Sequence, residues 1–283
     1  MNTNSSDQLC LEVIKKAEAY TLYQAKNTKA TLILYPGGGT DAAYTKQEFD
    51  IVNLACASDI SVLMMNFNRS IWIEEATAKE QSEQLKSILE KNNIASKITF
   101  IGGMSIGGNV ALAVSNYLIK SEAAIAPKGV FMVDSPIDLY ALYESAVADV
   151  ANPDFDEERL AEPKFIIRYF DERFGKDSLL RNIQEVSPFT HKKDYTSVPY
   201  LKNCRLRFYT EPDSTWWQEN RQTPYERTNA YVIQEVVKDL KAENWQQLEL
   251  IETKNKGYRT NGERHPHSWS IVDRQELVEW MNK

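Results

Sequence analysis

Ser105 lies in Gly103-Met104-Ser105-Ile106-Gly107, a G-x-S-x-G pentapeptide. The apolar run 98–101 precedes it, and the helix-like run 109–114 follows. A serine between strand and helix, with a glycine two residues to each side, is the pattern of a nucleophile elbow. Glycine removes the clash of side chains at so sharp a turn and tolerates unusual backbone angles. Such a serine is presented to solvent from the edge of a sheet, where it can attack an acyl carbon.

A serine hydroxyl is a poor nucleophile near neutral pH. It needs a base within hydrogen-bond reach, and the base needs an orienting group. Histidine is the usual base, because it titrates near working pH. The chain holds three: His191, His265 and His267. His191 lies late in a long irregular segment. His265 and His267 share a loop, 262–269, between the last apolar run and the final helical one. Loops at the carboxyl ends of parallel strands converge on the site of an open α/β sheet. His267 is therefore the expected base, since Ser268 and Trp269 lead directly from it into the helix. His265, ahead of Pro266, is expected at the rim or behind the site.

The orienting acid should also leave a strand end. Thr210-Glu211-Pro212-Asp213 supplies two carboxylates after the run 206–210. Asp213 is favoured because it lies further into the turn; Glu211 and Asp134, the latter closing the run 129–133, stand in reserve. Acyl transfer also needs donors for the developing oxyanion. Backbone amides of Ile106 and of the loop Gly37-Gly38-Gly39 are the candidates, with Gly37 and Gly38 foremost. That loop is not a phosphate cradle: Thr40-Asp41 follows where Lys-Ser/Thr is needed, and G-x-G-x-x-G spacing is absent. Met104, Trp216, Trp217 and Trp269 neighbour these residues in sequence and are the candidates to line a substrate pocket, apolar or sugar-stacking.

These residues need elements to hold them. Residues 9–25 alternate like a strand pair or hairpin. The runs 31–35, 60–67, 97–101, 129–134, 206–210 and 248–252 read as buried strands. Helices are expected over 45–57, 74–92, 106–119, 225–242 and from about 270 to 281. This alternation predicts an α/β protein with a mostly parallel central sheet and helices on both faces. Residues 138–203 break the pattern; charged and aromatic, they read as an inserted cap, leaving 1–137 and 204–283 as the core.

Composition narrows the partners. With 283 residues and 42% hydrophobic content, the chain fits one large domain with an insertion. A net charge of -7 argues against nucleic acid, whose phosphates it would repel. No apolar stretch is long enough for a membrane span. The polar start, 1–7, lacks the apolar region of a signal peptide and reads as cytoplasmic; had a signal been removed, the protein would be secreted or surface-anchored. Cys10, Cys56 and Cys204 show no C-x-x-C spacing and are expected as buried free thiols. No cofactor or metal is expected.

The chain resembles the α/β-hydrolase superfamily over residues 28–283. The resemblance rests on Pro36-Gly37-Gly38-Gly39, the pentapeptide around Ser105, Asp213 and His267, in the order Ser, Asp, His. One departure is Pro36, which stands where some esterases carry the histidine of His-Gly-Gly-Gly. The resemblance implies an α/β-hydrolase fold with an inserted helical cap, and a serine esterase working through an acyl-enzyme on a small carboxylic ester. A peptidase or amidase is the alternative, since the same triad cleaves both bonds. A non-catalytic binding protein on this fold is the other.

Overall fold

The computed structural model describes residues 10–14, 19–67, 70–94, 98–175, 177–191 and 196–283. Its strands are β1 (Cys10–Ile14), β2 (Tyr20–Ala25), β3 (Ala30–Tyr35), β4 (Ile60–Met65), β5 (Thr99–Met104), β6 (Pro127–Val133), β7 (Arg205–Thr210) and β8 (Leu248–Glu252). They form one sheet in the order β1-β2-β4-β3-β5-β6-β7-β8. The hairpin β1–β2 runs antiparallel, as does β2 on β4; every other pair is parallel.

Central parallel strands are covered on both faces and so read as continuous apolar runs. β3 and β4 are buried at every residue. Alternate side chains enter two different cores. Leu32, Leu34, Val62 and Met64 pack with Val52, Ala55, Leu277 and Trp280. These come from α2 (Val52–Ala57) and α10 (Arg274–Asn282). Ile33, Tyr35, Leu63 and Ile101 pack instead with Leu85, Ile88, Val110 and Val114, from α3 (Glu75–Lys91) and α4 (Ile106–Lys120).

Several expected boundaries move for local reasons. The helix expected over 45–57 is two, α1 (Ala42–Glu48) and α2. The chain breaks at Phe49, whose buried ring stacks on Trp269 with centroids 4.6 Å apart. The helix expected from 225 begins at Asn229 as α9 (Asn229–Ala242), where the Thr228 side chain accepts from the Tyr231 amide. α10 starts at Arg274, because the Asp273 carboxylate caps the amides of Gln275 and Glu276. A short helix, α8 (Ser214–Arg221), was not anticipated. Cys204 is a buried free thiol as expected, whereas Cys56 is disulfide-bonded.

Between β6 and β7 the described residues form three α-helices, α5 (Leu139–Val150), α6 (Glu157–Phe174) and α7 (Leu179–Val186). Leu139, Ala146, Ile166, Phe170 and Ile183 form one cluster with Ile71 and Trp72. The Trp72 ring stacks on both Phe170 and Phe174 with centroids 5.2 Å away. Ile106, next to Ser105, packs against this cluster, so the helices stand beside the elbow. Asp149 ties them to the sheet domain: its carboxylate takes Arg159 at 2.8 Å and also Arg227. Among the described residues, no helix is long and apolar enough to cross a membrane.

Candidate active site

Ser105 ends β5 and begins α4 with φ 54° and ψ −131°, a conformation that L residues rarely adopt. It is held there by neighbours. The Ser105 amide donates to the Val133 carbonyl at 2.9 Å, and the Gly108 amide to the Ser105 carbonyl at 2.9 Å. The turn brings chains into contact at the flanking glycines. A Cβ on Gly103 would lie 2.2 Å from the Gly107 carbonyl oxygen, and one on Gly107 2.3 Å from that of Pro36. No side chain fits either position.

Asp134 follows β6, the neighbouring strand, one residue beyond the Met104–Val133 pair. His267 arrives on the loop after β8, and its Nδ1 lies 2.7 Å from Asp134 Oδ2. Asp134 is buried, at 3% exposure. Its other oxygen accepts from the Thr210 hydroxyl at 2.6 Å, and its backbone carbonyl accepts from Asn229 Nδ2 at 2.9 Å. Its φ of 45° is a second unusual backbone angle at this sheet edge.

The expectation that Asp213 orients the histidine is corrected by this geometry. Asp213 Oδ2 is paired with Arg264 Nη2 at 2.5 Å, and Oδ1 caps α8 by accepting from the Trp216 amide at 3.0 Å. Glu211 is engaged too: Arg264 pairs with one oxygen, and the other accepts from Thr253 Oγ1 at 2.9 Å and from the amides of Lys256 and Gly257. Both carboxylates have a cation as partner, whereas Asp134 has the imidazole.

No protein-family model matches the chain, and no curated protein does. Solved structures match across its length. FphF, a fluorophosphonate-binding serine hydrolase of Staphylococcus aureus in substrate-bound form, aligns at 13% identity and TM-score 0.53, covering 97% of each chain. Carboxyl esterase 2 of the mycorrhizal fungus Tuber melanosporum aligns at 13% identity and TM-score 0.57, over 99% of this chain and 87% of that one. An esterase of Pyrococcus furiosus aligns at 13% identity and TM-score 0.53, over 100% and 94%. The fold is that of the α/β-hydrolases.

The remaining candidates fall in different places. The loop 36–39 lies against the elbow: a Cβ on Gly37 would be 3.7 Å from Ser105 Cβ, and one on Gly38 3.3 Å from Ile106 Cδ1. The Thr40 amide and hydroxyl both donate to the Gly37 carbonyl, at 3.2 and 2.9 Å. At the start of α4, the first amides have no intrahelical acceptor. Trp269, expected in a substrate pocket, is instead a core residue, 1% exposed and stacked on Phe49. Met104 is partly buried against the same core.

Trp216 and Trp217 are half-buried and meet edge to face at 5.1 Å. Both rings pack on His265, with centroids 4.7 and 6.0 Å away. His265 is not at the rim; it is 6% exposed and lies 6.2 Å from the His267 ring. Burial, then the charges of His267, Arg259 and Arg221, push its pKa down to about 3. His191 turns toward α9, with Nδ1 3.2 Å from Asp239 Oδ2. Among the described residues, no group of three or more His, Cys, Asp or Glu side chains is placed to hold a metal ion.

Sequence reasoning missed Thr210, Asn229 and Arg264. Thr210 carried a readable signal, a hydroxyl closing a strand just before two carboxylates. Arg264 carried none, since its partners lie about fifty residues upstream.

Proposed function

We propose that the protein is a serine hydrolase of small carboxylic esters, with Ser105 as nucleophile, His267 as general base and Asp134 as the acid that orients it. The observation that carries this reading is the 2.7 Å bond from His267 Nδ1 to the buried Asp134, on the strand next to the elbow. Donation from Nδ1–H to Asp134 fixes the tautomer and leaves Nε2 free to accept the proton of Ser105. Thr210 occupies the second carboxylate oxygen and so holds the acid's orientation.

In the first step a bond forms between Ser105 Oγ and the ester carbonyl carbon while Nε2 takes the hydroxyl proton. The oxyanion is met by the Ile106 amide and by amides of the loop holding Gly37 and Gly38. Collapse breaks the carbon–oxygen bond of the ester, and the departing alcohol takes the proton from His267. Water then repeats the sequence on the acyl-enzyme, releasing the acid and restoring Ser105. Residues 138–203 act as the cap over this end of the sheet. Met104 and the Trp216–Trp217 pair border the substrate.

A fluorophosphonate probe tests the reading. Wild-type protein is expected to be labelled on Ser105, found by mass spectrometry of the modified peptide, and Ser105→Ala is expected to lose the label entirely. A wild-type protein that stays unlabelled and cleaves no p-nitrophenyl ester of any chain length overturns it.

A further inference from the structure

The loop carrying His267 is anchored by an ionic cluster outside the three proposed catalytic groups. Arg264 Nη2 pairs with Glu211 and Asp213, which follow β7, while its Nη1 donates to the Gly257 carbonyl at 2.7 Å. Glu211, 1% exposed, also takes the amides of Lys256 and Gly257 at 2.8 and 3.1 Å. The His265 amide returns to the Gly257 carbonyl at 2.9 Å. A single guanidinium thus closes the loop between 253 and 265, two residues before His267 begins to point at Asp134.

We infer that Arg264 is a positioning residue: it sets the loop that aims His267, and by pairing with Asp213 and Glu211 it offsets part of their charge and leaves Asp134 alone to serve the imidazole. This inference rests on the reading of Ser105, His267 and Asp134 given above. The charges around His267 are few. Asp134 comes from the end of β6; Asp213, Glu211 and Arg264 form the cluster at the end of β7. His265 feels the charges of His267, Arg259 and Arg221, and Tyr225 feels those of Glu252, at the end of β8, and of Asp134. Among the described residues, Arg264 is the cation held between the two competing carboxylates.

The arrangement makes a charge argument that plain scaffolding does not. With Arg264 removed, an uncompensated Asp213 stabilises the protonated imidazole. The acid limb of kcat/KM then moves to higher pH, by about 0.3 to 1 unit for a charge acting without direct contact. With Asp213 neutralised and Arg264 kept, the limb moves to lower pH by a similar amount.

The experiment measures pH profiles of p-nitrophenyl ester hydrolysis for Asp213→Asn, Arg264→Met, Arg264→Lys and the double variant R264M/D213N. Asp213→Asn is the anchor, because asparagine also caps a helix and the fold survives. The expected pattern is a limb shifted down in Asp213→Asn, up in Arg264→Met, unmoved in Arg264→Lys and restored in the double variant. Arg264→Met is also expected to lose about 10- to 100-fold in kcat with KM little changed, as misaimed groups do. A limb that stays put in both Asp213→Asn and Arg264→Met overturns the inference; should Arg264→Met fail to fold, an unmoved limb in Asp213→Asn does so alone. Fluorophosphonate labelling of the wild type keeps the two readings apart: labelled protein with unmoved limbs sinks only the role of Arg264.

Discussion

The ends of β6 and β7 are neighbours in the sheet, and both offer carboxylates to the same loop. At β6, Asp134 is buried with a hydroxyl, an amide and an imidazole as partners. At β7, Glu211 and Asp213 are bound by a guanidinium and by loop amides. The difference teaches that position in a turn does not decide which carboxylate meets the histidine. An arginine nearby satisfies a carboxylate, and the carboxylate left without a cation is the one available to the histidine.

Substitution at the two ends should break the symmetry between them. Asp134→Asn removes the acceptor that sets the His267 tautomer, and kcat is expected to fall by about 10³- to 10⁴-fold. Asp213→Asn should cost less than about 10-fold, since it acts only through charge. Steady-state ester hydrolysis ranks them, and the reverse order would return the role to Asp213. Thr210→Val sharpens the contrast at β6: it frees one oxygen of Asp134, and kcat is expected to fall about 3- to 10-fold, the worth of one hydrogen bond.

The smallest effect belongs to His265, on the β7 side of the loop. Its pKa is lowered from 6.5 to about 3, so folding favours the neutral ring. The stability it contributes is complete above pH 6.5 and is lost as pH falls toward 3, where the ring must charge within its aromatic box. Urea denaturation from pH 7 to 4 should show wild type weakening and His265→Phe weakening less; parallel curves would discount this account.

The sheet was legible because its central strands are apolar runs bounded by turn residues, and the elbow because glycine flanks so close a crossing. The placement of Ser105 at a strand–helix turn and of His267 beside a strand-end carboxylate followed from that frame, as each leaves a strand or loop at one edge. The acid did not. Depth in the turn favoured Asp213 over Asp134, but what separates them is Arg264, remote in the chain and adjacent to Asp213 only in space. Trp269 was misplaced for the same reason: its partner, Phe49, sits at the break between two helices where periodicity alone predicts one. The helices of 138–203 were hidden by their polar faces and by loops among them.

The crossing of backbones at Gly103 and Gly107 has a genetic consequence. A selection that asks only for folded, accumulating protein will find both positions intolerant of any change, because no larger residue fits between the strand, the helix and the Pro36 carbonyl. The same selection will let Ser105 vary, and will favour glycine there, since its backbone angles penalise every other residue. Populations selected for folding alone should therefore lose the serine first and keep the glycines, leaving an elbow with nothing at its tip.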